Sequence, residues 1–343
     1  MHKVTLKNSD QSFNVLPSQS VLAAAIGAGI NLPYGCRNGA CGSCKAKLIT
    51  GEVFHTDYQT SAMSEAELGA SNVLLCCAYA QTDLTLVCRE VNAIAGLKPR
   101  ILPARVAKKE QLAHDVIALH LQLPASERLQ YLAGQYIEFI LKDGTRRAFS
   151  IANAPHDTGF LQLHIRVIPG GVFSEYVINE LQEKAILRLE APFGQFFLRE
   201  DSQKPIIFIA GGTGFAPVKS IIEHMLHHNI KRELYLYRGA RQLRDLYMHD
   251  LCEKWAALMP HIRYIPVLSD ATFNDDWQGR TGFVHQAVLD DISDLSPYQA
   301  YACGAPGMVN IAQQNFVEQG LSADEFFSDA FTFANPVQNT LII

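Results

Sequence analysis

The sequence predicts a three-domain chain of mixed class: an α+β unit, then an antiparallel β-barrel, then an α/β unit with a parallel sheet. Three observations carry this. Residues 1–92 open with hairpin-like alternation and an alanine-rich helix. Residues 100–199 are short strands broken by glycine, proline and aspartate. Residues 200–335 switch to a continuous apolar strand, a glycine turn and a helix. At 343 residues the chain is long enough for two or three separate cores. Its content, 48% hydrophobic and 18% charged, is that of an ordinary globular protein. A formal charge of −5 without a basic run argues against a nucleic-acid surface. The opening MHKVTLKNSD lacks the apolar core of a signal peptide, and Val21 to Ile30 is far shorter than a membrane span, so no span and a cytoplasmic location are expected.

In the first unit, Lys3 to Leu6 and Ser12 to Val15 alternate apolar and polar residues, as a half-buried hairpin does. Pro17 to Ser20 read as a helix start, with the helix running to Gly29. Thr82 to Val87 close the unit as a period-two strand, and residues 93–99 read as a linker. The second unit has strands at Ile101 to Ala107, Val116 to Leu123, Tyr136 to Leu141, Leu161 to Ile168 and Ala185 to Ala191. The third begins with Ile206 to Ala210, a helix over Val218 to His228, and a strand over Glu233 to Tyr237. Residues 336–343 form a tail expected to pack as an edge strand or to meet a partner.

Cys36, Cys41 and Cys44 follow the order C-x4-C-x2-C, with Cys76 as a distant fourth. That spacing is the one by which a plant-type ferredoxin holds a 2Fe-2S cluster, at a potential of roughly −400 mV. Gly35, Gly39 and Gly42 keep the loop slim enough for its amides to face the sulfurs. Disulfides are disfavoured without a signal peptide, and a zinc site would show paired C-x2-C elements or histidines. Cys77 adjoins Cys76; strand alternation is expected to turn it away from the cluster. Cys88 and Cys252 read as small buried hydrophobes.

Arg147, Phe149 and Ser150 offer a cation for a phosphate, an aromatic ring to stack on an isoalloxazine, and a hydroxyl for the flavin edge. Gly170, Gly171 and Val172 lead to Ser174, expected to open a helix over Glu175 to Leu181 and to help neutralise a pyrophosphate. Together these resemble the R-x-Y/F-S and G-x-x-S motifs that members of the ferredoxin-NADP reductase superfamily use for FAD. The resemblance covers about residues 100–335, and the likeness of the cysteine pattern to plant-type ferredoxins implies a β-grasp fold for residues 1–92. Phe149 stands where many relatives have tyrosine, so one phenol hydroxyl is missing.

Gly211, Gly212, Thr213 and Gly214, followed by Pro217, end a buried strand and begin a helix, which places amides and a positive helix end where a pyrophosphate can sit. GGTGFAP is similar to the superfamily's own version of the nicotinamide cradle. Arg238 and Arg241 end the next strand, where relatives grip the adenosine half. With Arg244 they suit a 2'-phosphate or a solvated face paired with Asp245 and Asp250, so NADH and NADPH both stay open. Cys303, Gly304 and Pro306 end a later strand, where relatives place a cysteine beside the nicotinamide.

A nicotinamide gives a hydride, a flavin accepts two electrons and releases them singly, and a 2Fe-2S centre accepts one, so the expected activity is an NAD(P)H-dependent oxidoreductase feeding an electron-accepting protein. The order of domains resembles the reductase components of multicomponent oxygenases. LPYGCRNGACGSCK and the late Phe326 to Phe331 look closer to CDP-6-deoxy-3,4-glucoseen reductases, whose partner is a deoxysugar dehydrase. A redox sensor is the third reading, and it would not need the three nicotinamide motifs.

Overall fold

The structure is a computed structural model that describes residues 1–89 and 97–331. The linker reading falls partly on residues 93–96 and the tail reading on 336–343, both outside the described residues. Strands β1 (His2–Leu6) and β2 (Ser12–Val15) form the expected hairpin, and helix α1 (Val21–Ala28) is capped by Ser20, whose hydroxyl accepts from the Ala23 amide. Then come β3 (Lys45–Thr50), β4 (Val53–His55), α2 (Glu65–Gly69), β5 (Asn72–Leu74), β6 (Ala78–Ala80) and β7 (Leu84–Val87). The sheet order β2-β1-β7-β3-β5, with β1 and β7 parallel and α1 laid across, is a β-grasp. Alternate residues Val4, Leu6, Phe13 and Val15 face Val21, Leu22 and Ala25 in its core. Tyr136 and Phe193, from the next domain, belong to the same apolar cluster.

The barrel strands are β8 (Arg100–Ala113), β9 (Val116–Gln122), β10 (Tyr136–Ile140), β11 (Arg146–Ser150), β12 (Leu161–Arg166) and, after helix α3 (Val172–Asn179), β13 (Ile186–Phe193). Their order is β11-β10-β13-β8-β9-β12, and an Ile151 to Leu163 bridge closes the ring between the two ends. β8 is twice interrupted in register against β9, so it bends and serves both sides of the barrel. Helix α3 begins earlier than expected, with Gly171 as its N-cap. Ser174 therefore lies inside the first turn and does not open the helix.

The third domain runs β14 (Ile206–Gly211), α4 (Phe215–His227), β15 (Leu234–Ala240), α5 (His249–Leu258), β16 (Ile262–Leu268), β17 (Arg280–Thr281), α6 (Val284–Asp291), β18 (Gln299–Gly304), α7 (Pro306–Glu318) and β19 (Phe326–Ala330). All pairings are parallel, in the order β17-β16-β15-β14-β18-β19. β14 is buried on both faces, which explains why it reads as an unbroken apolar run. Strand order reverses between β14 and β18, so the crevice beyond their carboxyl ends is the topological switch point where such sheets take ligands. The helix after β14 starts at Phe215, ahead of the expected Val218, and Pro217 sits in its first turn, where its missing N–H costs nothing.

Two side chains of α4 tie this domain to the barrel. Lys219 donates to the Ala152 carbonyl at 3.1 Å and Ser220 to the Asn153 carbonyl at 2.7 Å. Across the other seam, Phe193 is 2% exposed within the ferredoxin core. Phe193→Ala is expected to cost about 3–5 kcal/mol, by analogy with other large-to-small core changes. Denaturation followed by the visible absorbance of the cluster should show an earlier midpoint; an unchanged midpoint would mean that this ring adds nothing to the ferredoxin unit.

Candidate functional site

The cysteine loop spans the turns between α1 and β3 and stands where all three domains meet. Its sulfurs form two pairs. The Cys36 amide donates to Cys41 Sγ at 3.4 Å, and the Ala40 amide donates to Cys36 Sγ at 3.3 Å. Cys44 Sγ and Cys76 Sγ are 3.3 Å apart. The thiol of Cys36, its amide and Ser43 all hydrogen-bond to Cys41 and hold its pKa below the usual thiol value despite burial. Such sulfurs, already facing amides, suit the thiolates of a 2Fe-2S cluster. Gly39 lies at φ +76°, and a Cβ there would come within 2.7 Å of Cys77 Sγ. Only glycine lets the loop close this tightly.

Cys76 and Cys77 depart from the expected geometry. Residues 75–77 form a turn between β5 and β6, not a strand end, so side chains do not alternate and the two sulfurs lie 3.6 Å apart. Cys77 packs in the ferredoxin core and is 3% exposed. It is Cys76, the more exposed of the two, that meets Cys44. Cys88 and Cys252 are buried, as expected.

On the barrel, Arg147 is half-buried on β11, with its guanidinium donating to the Arg146 carbonyl at 2.8 Å. Phe149 leans on Phe173 at 5.0 Å within an aromatic group that includes Phe139. Ser150 is buried at the end of β11, in register with Tyr136. Ser174 is turned inward: its hydroxyl donates to the carbonyls of Ile168 and Gly171, at 3.1 and 3.0 Å, and accepts from the Ile168 amide. It shapes the glycine turn; it does not point a hydroxyl outward at an anion. Gly170 stands at φ +75° with its amide on the Glu175 carboxylate at 2.7 Å, and Val172 is exposed beside it.

At the switch point, Gly211 to Gly214 turn directly onto the end of β18. A Cβ on Gly214 would stand 2.2 Å from the Cys303 carbonyl oxygen, so glycine there is a packing necessity. Thr213 is buried in the turn, and Gly304 and Pro306 carry β18 into α7. Cys303 itself has no accessible surface and lies among Phe215, Tyr247 and Tyr301. A thiol presented to a ring at the sheet edge would need an exposed sulfur. The structure gives a buried one, held protonated by desolvation and by neighbouring Asp329.

Arg238 corrects the expected adenosine grip most clearly. It is 1% exposed, donates to the Tyr247 carbonyl at 2.7 Å, and stacks on Phe215 at 3.9 Å. A guanidinium so enclosed serves the core. Arg241 and Arg244 are exposed, and Arg241 pairs with Asp245 at 3.4 Å.

Sequence reasoning missed four residues here. Arg166 of β12 is anchored by Asp115 at 3.0 Å, and a Cβ on Gly212 would be 3.0 Å from its Nη1, so a barrel cation overlooks the glycine turn of the third domain. Its signal was a charge at a half-buried position of β12. Arg37 and Glu138 pair across the ferredoxin seam at 3.0 Å; the cation lies inside the cysteine motif, but nothing in the sequence names its partner. Asp329 of β19 is 7% exposed and feels the Cys41 sulfur.

These features define an iron–sulfur flavoprotein reductase. Family models match as 2Fe-2S iron-sulfur cluster binding domain over residues 4–81, oxidoreductase FAD-binding domain over 103–198 and oxidoreductase NAD-binding domain over 208–314. The chain is 42% identical over 316 residues to CDP-6-deoxy-L-threo-D-glycero-4-hexulose-3-dehydrase reductase of Yersinia pestis, covering 92% of this chain and 93% of that one. It is 34% identical to terephthalate 1,2-dioxygenase, reductase component 1, of Comamonas, over 96% of this chain and 97% of the relative. Among solved structures, an Amycolatopsis cytochrome P450 reductase, GcoB, superposes with a TM-score of 0.81 at 30% identity, covering 97% of this chain and 99% of that one. The chain belongs to the ferredoxin-NADP reductase superfamily, in the branch that carries an N-terminal plant-type ferredoxin domain. Its cofactors are a 2Fe-2S cluster, FAD and a nicotinamide nucleotide, and it is an oxidoreductase. Among the described residues, no helix is long and apolar enough to cross a membrane.

Burial, and then the Cys41 sulfur, raise the Asp329 pKa from 3.8 to about 7. Between these values the unfolded chain releases a proton that the folded chain keeps. Folding therefore weakens as pH rises from about 4 to about 7, and the full penalty persists above that window. Asp329→Asn should gain stability over wild type progressively across the window. Denaturant midpoints at a series of pH values test this, and a difference independent of pH would mean that the carboxyl ionises normally.

Proposed function

We propose that this reductase takes electrons from NADH or NADPH and delivers them, through FAD and the 2Fe-2S cluster, to a deoxysugar dehydrase of the CDP-6-deoxy-hexulose type. The observation that carries this reading is the 42% identity, over nearly the whole length of both chains, to a reductase named for that dehydrase. A second reading, delivery to an oxygenase, is favoured by the full-length match to a dioxygenase reductase component at lower identity, 34%. A cytoplasmic setting suits either, since cluster thiolates must stay reduced.

Within this reading Cys36 and Cys41 hold one iron and Cys44 and Cys76 the other, in keeping with the two sulfur pairs. Arg147 neutralises the FAD pyrophosphate, Phe149 and Ser150 border the flavin, and the amides of Gly170, Gly171 and Val172 line the same anion. Gly211, Gly212, Thr213 and Gly214, with Pro217 starting the helix, cradle the nicotinamide nucleotide. Arg166 faces that cradle from the barrel side, and Arg241 stands at its adenosine end. Cys303, Gly304 and Pro306 act as its floor: the Cys303 backbone supports Gly214, and the buried thiol fills the space beneath.

Cys76→Ser is expected to lose the 2Fe-2S absorbance spectrum and most of the bound iron, whereas Cys77→Ser keeps both. The reverse pattern would exchange the two ligands. For the partner, anaerobic NADH and NADPH oxidation should be stimulated by a purified CDP-hexulose dehydrase with its substrate. Stimulation in the presence of O2 by a ring-hydroxylating oxygenase with its substrate, and none by the dehydrase under anaerobic conditions, would replace the first reading with the second.

A further inference from the structure

The cysteine loop is held from the barrel side by contacts of two kinds. Three are neutral: Tyr136 hydroxyl to the Gly35 carbonyl at 3.0 Å, the Gly194 amide to the Tyr34 hydroxyl at 3.1 Å, and the Gln195 amide group to the Leu32 carbonyl. The other kind is ionic. Arg37, between the first two cysteines, lies over the Phe193 ring at 4.1 Å with Nη1 3.0 Å from Glu138 Oε1. Glu138 is 7% exposed on β10, and its other oxygen is 3.0 Å from Arg146, which also reaches Glu190. Cations and carboxylates thus alternate along a chain that begins in the ferredoxin domain and ends on β13.

We propose that the Arg37–Glu138 contact is a positioning latch: it fixes the cysteine loop on the flavin barrel, and releasing it lets the ferredoxin domain leave that place to meet a partner protein. The inference rests on the electron route proposed above and adds what sets its internal step. Arg37 stands at φ +62°, a conformation a non-glycine residue keeps only when its surroundings demand it. Its Nη1 is fully enclosed yet lacks an acceptor in hydrogen-bond alignment, so the 3.0 Å approach to Glu138 is a Coulombic contact and not a hydrogen bond. A contact of that kind is strong while water is excluded and has little directional hold once water enters. Opening the seam hydrates both charges, and added salt then favours the open form. Among the described residues the other ion pair joining the ferredoxin domain to the rest, Arg89 with Asp324 at 3.4 Å, involves exposed side chains and is already screened.

Two measurements on the holoprotein test the latch. In small-angle X-ray scattering, the wild-type radius of gyration should rise between low salt and about 1 M, where the Debye length is about 3 Å. Glu138→Gln should be expanded at low salt and insensitive to more. In anaerobic stopped-flow with NADH, Glu138→Gln should bleach flavin as fast as wild type, while reduction of the cluster band slows about tenfold or more, as expected for a small misplacement of reacting partners. Arg37→Lys, which keeps the charge but loses the planar stack on Phe193, should fall between. A radius and a cluster rate in Glu138→Gln that match wild type, or a wild-type radius that ignores salt, would overturn the latch. The wild-type salt series needs no variant, so a chain that fails to fold leaves the test standing. Failure of both NADH and NADPH to bleach wild-type flavin would instead sink the electron route, leaving the scattering result to judge the latch by itself.

Discussion

The close approach of Gly214 to the Cys303 carbonyl is the constraint on which the nucleotide end of the molecule depends. Two parallel strands, β14 and β18, run side by side, and the turn leaving one must lie on the end of the other. A side chain as small as a methyl at position 214 would push the turn away, and with it the first turn of α4. Because Lys219 and Ser220 on that helix hold the barrel, the displacement would not stay local. One backbone contact thus fixes the amide cradle, the helix and the placement of the flavin domain together.

At the seam between the barrel and the ferredoxin domain the constraint is different in kind. The ferredoxin domain has its own sheet and helix, but its apolar cluster is finished by Tyr136 and Phe193 from its neighbour. Tyr34 and Tyr136 each send a hydroxyl to the other domain's backbone. Such a boundary is part core and part docking surface, more committed than a flexible tether yet containing polar groups that tolerate water. Protein that must hold a redox centre near a flavin and also show it to another protein benefits from a boundary of intermediate strength.

Features carried by local periodicity or fixed spacing were legible in the sequence: the β1–β2 hairpin, the Ser20 cap, the apolar run of β14 and the cysteine and glycine motifs. Those lost were set by tertiary context. Cys77 looked like a strand residue because Val73 to Leu75 precede it, but a turn intervenes. Arg238 looked like a surface cation at a strand end, and only the fold shows Phe215 and the Tyr247 carbonyl enclosing it. Ser174 read as a helix start because Gly170 and Gly171 precede it, whereas the helix begins at Val172. Glu138 and Asp329 were invisible because each matters through a partner in another domain, and the charge of Arg166 on β12 did not name the glycine turn that it faces.

The cysteine loop draws its neighbours from widely separated parts of the chain. The last strand of its own domain ends at Val87, whereas the barrel residues that grasp it are Glu138 and Phe193, and β19 brings Ser328 and Asp329 close to it. A ribosome adds about 5–20 residues per second, so the loop is complete on the order of tens of seconds before the last of these residues exists. Until β19 is made, the side of the loop that Ser328 and Asp329 cover has no neighbour, so the cluster site is complete only when almost the whole chain exists.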